Sequence, residues 1–226
     1  MLSRVPELTD EDLASIALFP LADVVLFPGV LLPLHVFEPR YRELMSDVLQ
    51  SNRAIAIPRL RAGFEPEYFG RPSVYEICGA GSIVQDTKLA DGRYNVLVSG
   101  LMRVRIVEEL PSGTYRRARA VRIPDVEPNP REAVTAWHAQ LVALCHKIAP
   151  YVTSRGRTLD QMIREAPDAA ACANCVASAV IADPDERQRL LEERDPAQRM
   201  ARIVEQLYEL LSALQADEPV RASELN

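Results

Sequence analysis

The chain has 226 residues, 48% of them hydrophobic, and a formal net charge of −6 with a pI near 5.2. That length and apolar content exclude a disordered segment and allow a substantial core, while the acidic balance weighs against a dominant polyanion-binding role. The first fifteen residues carry Glu7, Asp10, Glu11 and Asp12 where a secretory signal needs positive charge and then an apolar core. Together with four cysteines and no uninterrupted apolar run of about 20 residues, this predicts a cytoplasmic protein without a membrane span.

In chain order, residues 1 to 14 form a polar lead-in with a weak capping pattern, Thr9-x-x-Asp12. From Leu18 to Leu49 apolar residues crowd together, but Pro20, Pro28, Gly29 and Pro33 cut them into short runs, which rules out one long helix. The pattern predicts strands at Val24 to Phe27 and Val30 to Leu34 around a Pro28-Gly29 turn. A helix then opens with Pro39 at its first position and carries Tyr41, Leu44, Met45, Val48 and Leu49. Further strands are expected at Ala54 to Leu60, Val74 to Leu89, Arg93 to Val98, Met102 to Glu109 and Tyr115 to Ile123. Arg61 to Pro72 is a loop, and Gly100 is expected to end a strand. Gly79 and Gly81 predict a bulge or the close approach of another backbone. About seven short strands with one helix suit a small closed or nearly closed barrel.

Three prolines between Pro124 and Pro130 mark a linker, after which the periodicity is helical. Asn129 is a cap candidate for a helix with the stripe Val134, Trp137, Leu141, Leu144, Cys145, Ile148 and Val152. Thr158-x-x-Gln161 is a capping box, and Asp183-Pro184 and Asp195-Pro196 each place an N-cap before a proline. The final helix repeats Met200, Ile203, Val204, Leu207, Leu210, Leu211 and Leu214, a stripe best buried against the Trp137 helix. The expected division is therefore α+β: a barrel over residues 1–123, a linker over 124–130, a helical bundle over 131–215 and a flexible tail over 216–226.

Three separated blocks carry a resemblance. FPL at 19–21, LFPG at 26–29 and PLHVFEPRYREL at 33–44 form the first. Asp91-Gly92-Arg93, Val96-Leu97-Val98 and Gly100-Leu101-Met102-Arg103 form the second. Gln188 to Glu192 and Asp195 to Met200 form the third. Between Ile16 and Leu214 the chain resembles the N-terminal substrate-binding domain of the Lon protease family. This implies a PUA-like β-barrel followed by a C-terminal α-helical bundle, and a non-catalytic module that binds polypeptide, including unfolded or damaged protein. A protease or chaperone is then a candidate partner. The ATPase and Ser-Lys protease modules of the full-length family have no counterpart motif here, since no G-x-x-x-x-G-K-[ST] loop occurs.

Within these blocks Phe27, Val30, Leu32, Phe37 and Tyr41 mark the first region to inspect for polypeptide contact, through strand addition at an open edge or an apolar groove. Pro28, Gly29, Pro33, His35, Glu38, Arg40 and Arg103 are expected to fix the turn and barrel, the charged ones through buried hydrogen bonds or ion pairs. His35 and Glu38 have the residue types for acid–base work in a small hydrolase, but no nucleophile, metal cluster or cofactor loop accompanies them. Arg103, Arg105, Arg116, Arg117, Arg119 and Arg122, with Tyr94 and Tyr115, have the chemistry of an RNA surface, though strand alternation divides them between two faces. Cys172-Ala-Asn-Cys175 has zinc spacing but no second pair. With Val176, Ala179 and Val180 it reads more simply as a buried helical face of reduced thiols. No cofactor and no catalytic residue is predicted, and nucleic acid is the weaker partner class.

Overall fold

The computed structural model describes residues 7–111, 113–128, 130, 132–151, 153–154 and 157–223. They fall into two compact units, Met1–Pro124 and Asp125–Asn226.

The first unit is built on a 17-residue strand, β5 (Tyr94–Leu110), whose apolar positions alternate into the core at Tyr94, Val96, Val98, Val104 and Ile106. Along one edge it pairs antiparallel with β4 (Ile77–Lys88). Along the other, its first half pairs with β2 (Leu31–Val36) and its second half with β6 (Arg117–Arg122). Short strands β1 (Ile16–Leu18) and β3 (Ala54–Ile57) complete a ring, β5–β4–β3–β1–β6 and back to β5, with β2 as an added outer strand. The expected barrel is therefore closed. Helix α1 (Asp10–Ala14) begins with a full capping box between Thr9 and Asp12. Helix α2 (Pro39–Leu49) packs Tyr41, Leu44, Met45 and Val48 into one of two clusters of buried apolar side chains in this unit.

Two sequence expectations fail here for one reason. Val24 to Phe27 is not a strand, and Gly100 lies within β5 instead of ending a strand. The buried segment Val25–Phe27 crosses directly over the sheet, so that a Cβ at Gly79 would stand 1.9 Å from the Leu26 carbonyl oxygen, and one at Gly100 2.1 Å from that of Phe27. Glycine is needed because a backbone comes that close; a β-bulge also falls between Ala80 and Gly81. The Pro28-Gly29 turn is present, with Gly29 at φ 82° donating to the Gly100 carbonyl.

The β2 strand runs two residues past its expected end, to Val36. Gly100 N donates to Val30 O, and with the register of β2 on β5 this sets the alternation: residues 32, 34 and 36 bond inward to β5, and residues 31, 33 and 35 face the outer edge. Pro33, which has no N–H, sits on that outer edge.

In the second unit, α3 (Glu132–Ile148) packs on α7 (Pro196–Ser223). Leu141, Leu144, Cys145 and Ile148 are buried on α3, and Met200, Ile203, Val204 and Leu207 on α7. The predicted capping box holds at Thr158 before α4 (Leu159–Glu165). The Asp183 and Asp195 side chains accept from Asp185 N and Ala197 N at the starts of α6 (Pro184–Glu192) and α7. Asn129 and Val152 lie outside the described residues. Residues 216–223, expected as a flexible tail, continue α7. Strand structure in this unit is confined, among the described residues, to two-residue pieces at Thr153–Ser154 and Arg157–Thr158. In α5 (Ala169–Val180) the buried residues are Cys172, Ala173, Asn174, Val176 and Ala177, and Cys175 is only half-buried; at 3.6 residues per turn Cys172 marks one margin of the buried arc and Cys175 falls just outside it. Among the described residues no helix is long and apolar enough to cross a membrane.

Candidate functional site

The residues singled out around the β2–α2 corner separate into core and surface. Phe27, Leu32 and Tyr41 are core residues, with 0%, 6% and 6% of their surface exposed, so the structure removes them from any contact face. Val30 is half-buried. Phe37 is 60% exposed, because it continues the outward series of β2 beyond its end.

Glu38, next in sequence, is the N-cap residue of α2, but its carboxylate does not cap the helix. It turns outward, accepting the Tyr68 hydroxyl at 2.6 Å and pairing with Arg40 at 3.0 Å. Arg40 also donates to the Tyr68 carbonyl at 3.0 Å, and its guanidinium lies between the rings of Tyr41 and Tyr68, 4.6 and 5.0 Å from their centroids. Burial, then the hydrogen bond to Glu38, pushes the Tyr68 phenol up; burial pushes Tyr41 up to about 12. The far end of the same loop is pinned by Arg116, which pairs with Glu109 and donates to the Pro72 carbonyl at 2.8 Å. The loop is thereby held at Tyr68 and at Pro72, on either side of Phe69. It presents Phe69, whose ring meets Tyr68 edge-on at 5.2 Å and which is 88% exposed. The two most exposed large apolar side chains among the described residues thus flank one hydrogen-bonded pair, Glu38 and Tyr68. Phe37 adjoins Glu38 and Phe69 adjoins Tyr68 in sequence, and the Phe37 ring stacks on His35 with centroids 6.2 Å apart.

The other predicted residues divide likewise. Arg103 is buried and donates to the Ile123 carbonyl. His35 is exposed, contrary to the buried role expected of it, since odd positions of β2 face outward. Its Nδ1 lies 2.7 Å from Asn95 Oδ1 and its Nε2 3.2 Å from Arg93 Nη1. An arginine can only donate, so Nε2 accepts and the proton sits on Nδ1. His35 and Glu38 are engaged with different partners, and no pair for acid–base chemistry forms. The arginines of the RNA reading are mostly occupied: Arg116 with Glu109, Arg119 with Glu108, Arg122 with Asp10, and Arg117 with Ser15 and Tyr115. Among the described residues no group of three or more His, Cys, Asp or Glu is placed to hold a metal ion. Phe64, Tyr68 and Phe69 were missed in the sequence. Their signal was three aromatics in a twelve-residue loop otherwise marked by Gly63, Pro66, Gly70 and Pro72.

The profile of the ATP-dependent protease La (LON) substrate-binding domain matches residues 15–209. The chain belongs to the Lon substrate-binding domain family. It is 22% identical over 220 residues to a Lon protease of Desulfosudis oleivorans, covering 95% of this chain and 26% of that protein. It is 26% identical over 190 residues to Lon protease 2 of Myxococcus xanthus, covering 84% and 23%. The chain therefore spans about a quarter of the length of these Lon relatives. In fold it is similar to the N-terminal domain of the Mycobacterium avium complex Lon protease (TM-score 0.65, 16% identity, 86% of this chain and 98% of that one). It is also similar to a Lon N-terminal domain protein from Xanthomonas campestris (TM-score 0.57, 21% identity, 84% and 96%). The α+β Lon-domain architecture inferred from the three sequence blocks is thus the one found.

Proposed function

We propose that this Lon-type domain binds apolar segments of unfolded or damaged polypeptide through the exposed Phe37 and Phe69, without catalysis of its own. The observation that carries the reading is the pair of exposed phenylalanines on either side of the Glu38–Tyr68 hydrogen bond, braced by Arg40. Pre-ordering the loop lowers the conformational entropy lost on binding, and the rings supply apolar area of the kind that marks interaction sites. The family membership supports a protein as the partner, and a protease or chaperone is the natural recipient of what is bound.

The test is fluorescence anisotropy with labelled, reduced and carboxymethylated α-lactalbumin as the unfolded probe. Replacing both Phe37 and Phe69 by serine should weaken binding at least about tenfold, given ~1.5–3 kcal/mol for burying each such side chain. Raising salt from about 50 to 500 mM should change affinity little, because apolar contact releases no counterions. Unchanged affinity in the double variant, or a steep loss with salt alongside tight RNA binding, would overturn the reading.

A further inference from the structure

Beside Phe69 a cavity of about 240 Å³ opens inward, walled by Arg40, Arg71, Arg116, Tyr41, Tyr115 and Phe69 among others. Among the described residues no Asp or Glu lines it. The carboxylates of Glu38 and Glu109 are paired with Arg40 and Arg116 but do not form part of the wall.

The arginines are held ready. The Arg116 side chain is only 10% exposed and that of Arg40 18%. Arg40 uses Nε and Nη2 on Glu38 and one Nη1 hydrogen on the Tyr68 carbonyl. Arg116 uses Nε and Nη2 on Glu109 and one Nη1 hydrogen on the Pro72 carbonyl. A guanidinium has five N–H donors, so each keeps two beyond these bonds. Both arginines line the cavity, and the N–H groups beyond these bonds are donors of the kind that a carboxylate accepts. Besides the arginines the wall has three aromatic rings, Tyr41, Phe69 and Tyr115, and otherwise proline, glycine and threonine. The volume is below the ~300–1,000 Å³ of drug-sized sites and suits one residue instead of a nucleotide.

We propose that this cavity binds the C-terminal carboxylate of a polypeptide whose last residue is apolar, the carboxylate on the arginines and the side chain against Tyr41 and Phe69. The proposal rests on the polypeptide-binding reading and specifies which part of the client is recognised: an exposed apolar chain end, which native folds of many proteins bury or tether.

The experiment follows backbone amide NMR shifts of the full chain on titration with N-acetyl-phenylalanine, its carboxamide, and inorganic phosphate. The free acid should move Gly70, Arg71, Gly113 and Thr114. The carboxamide and phosphate should each bind at least about tenfold more weakly, as expected for losing charge-assisted hydrogen bonds or the apolar contact. Arg71→Gln, a change at an exposed position, should weaken the acid and leave the carboxamide unchanged. Equal binding of acid and carboxamide, no shift at these amides, or phosphate binding as tightly as the acid would overturn the assignment. If a long unfolded probe binds equally with a free and an amidated end while still depending on Phe37 and Phe69, the terminal assignment fails and apolar capture stands. If the long probe does not bind at all, both fall.

Discussion

Substituting Gly79 by alanine tests the crossing of the Val25–Phe27 segment over the sheet. The new Cβ would sit 1.9 Å from the Leu26 carbonyl oxygen and 2.8 Å from the Leu26 Cβ, whereas ordinary contact begins at 3.4 Å. Backbone faces backbone there, so no side-chain rotation relieves the clash; either the β4 strand or the crossing segment must withdraw by roughly 1.5 Å, a shift at the upper end of overpacking costs, about 3 kcal/mol. For a unit of this size that lowers Tm by roughly 10 °C. Trp137 lies on α3 in the second unit. Urea unfolding should be followed through barrel amide resonances such as those of Val96 and Val104. Gly113→Ala, where nothing lies within 4 Å of the added carbon, is the matched control and should be neutral. A Gly79→Ala protein within about 0.5 kcal/mol of the parent would refute the crossing geometry.

Burial pushes the thiols of Cys78 and Cys145 up to about 12 and Cys172 to about 11, with nearby acidic groups adding to the last two. Because the folded state holds these protons more tightly than the unfolded chain, their contribution is complete below the unfolded thiol range. It is lost as pH rises from about 9 toward about 12. The urea midpoint should therefore fall between about pH 8.5 and 10.5 and fall less in Cys78→Ala; a midpoint that rises over that range would contradict the burial. Arg199 is fully buried and donates to Asp125 at 2.5 Å and to Asn174 at 2.7 Å. Arg199→Leu should destabilise the helical unit by about 3 kcal/mol through the polar partners it strands, measured by Trp137 fluorescence in urea, and a neutral result would dismiss the network as a structural element.

Local chemistry was readable wherever one residue's requirement decides the conformation. Pro39 opening a helix, the Thr158-x-x-Gln161 box and the Asp-Pro starts of α6 and α7 all follow from cap geometry that a few neighbouring residues satisfy. Paired glycines correctly announced a close backbone but could not say whose. The Val24–Phe27 segment has strand composition, yet it lies over the sheet instead of within it, and composition does not distinguish the two burials. Gly100 illustrates the converse, a residue whose statistics say strand end while tertiary packing retains it in mid-strand. At the site, Phe37, Glu38 and Arg40 were visible because they sit in the motif. The partners that give them meaning, Tyr68 and Phe69, lie some thirty residues on in a loop, and sequence separation hides such pairings.

Pro33 on the outer edge of β2 bears on how a domain can display phenylalanines to water and not grow into aggregate. An apolar segment drawn to Phe37 arrives next to a sheet edge, the place where captured strands ordinarily extend a ladder. At Pro33 that edge has an acceptor and no donor, so an incoming strand in register loses a rung at mid-length. Adhesion through side chains is thereby separated from templating through the main chain: a client can be held without being recruited as a seventh strand, and two copies of the domain meeting edge to edge gain no continuous sheet.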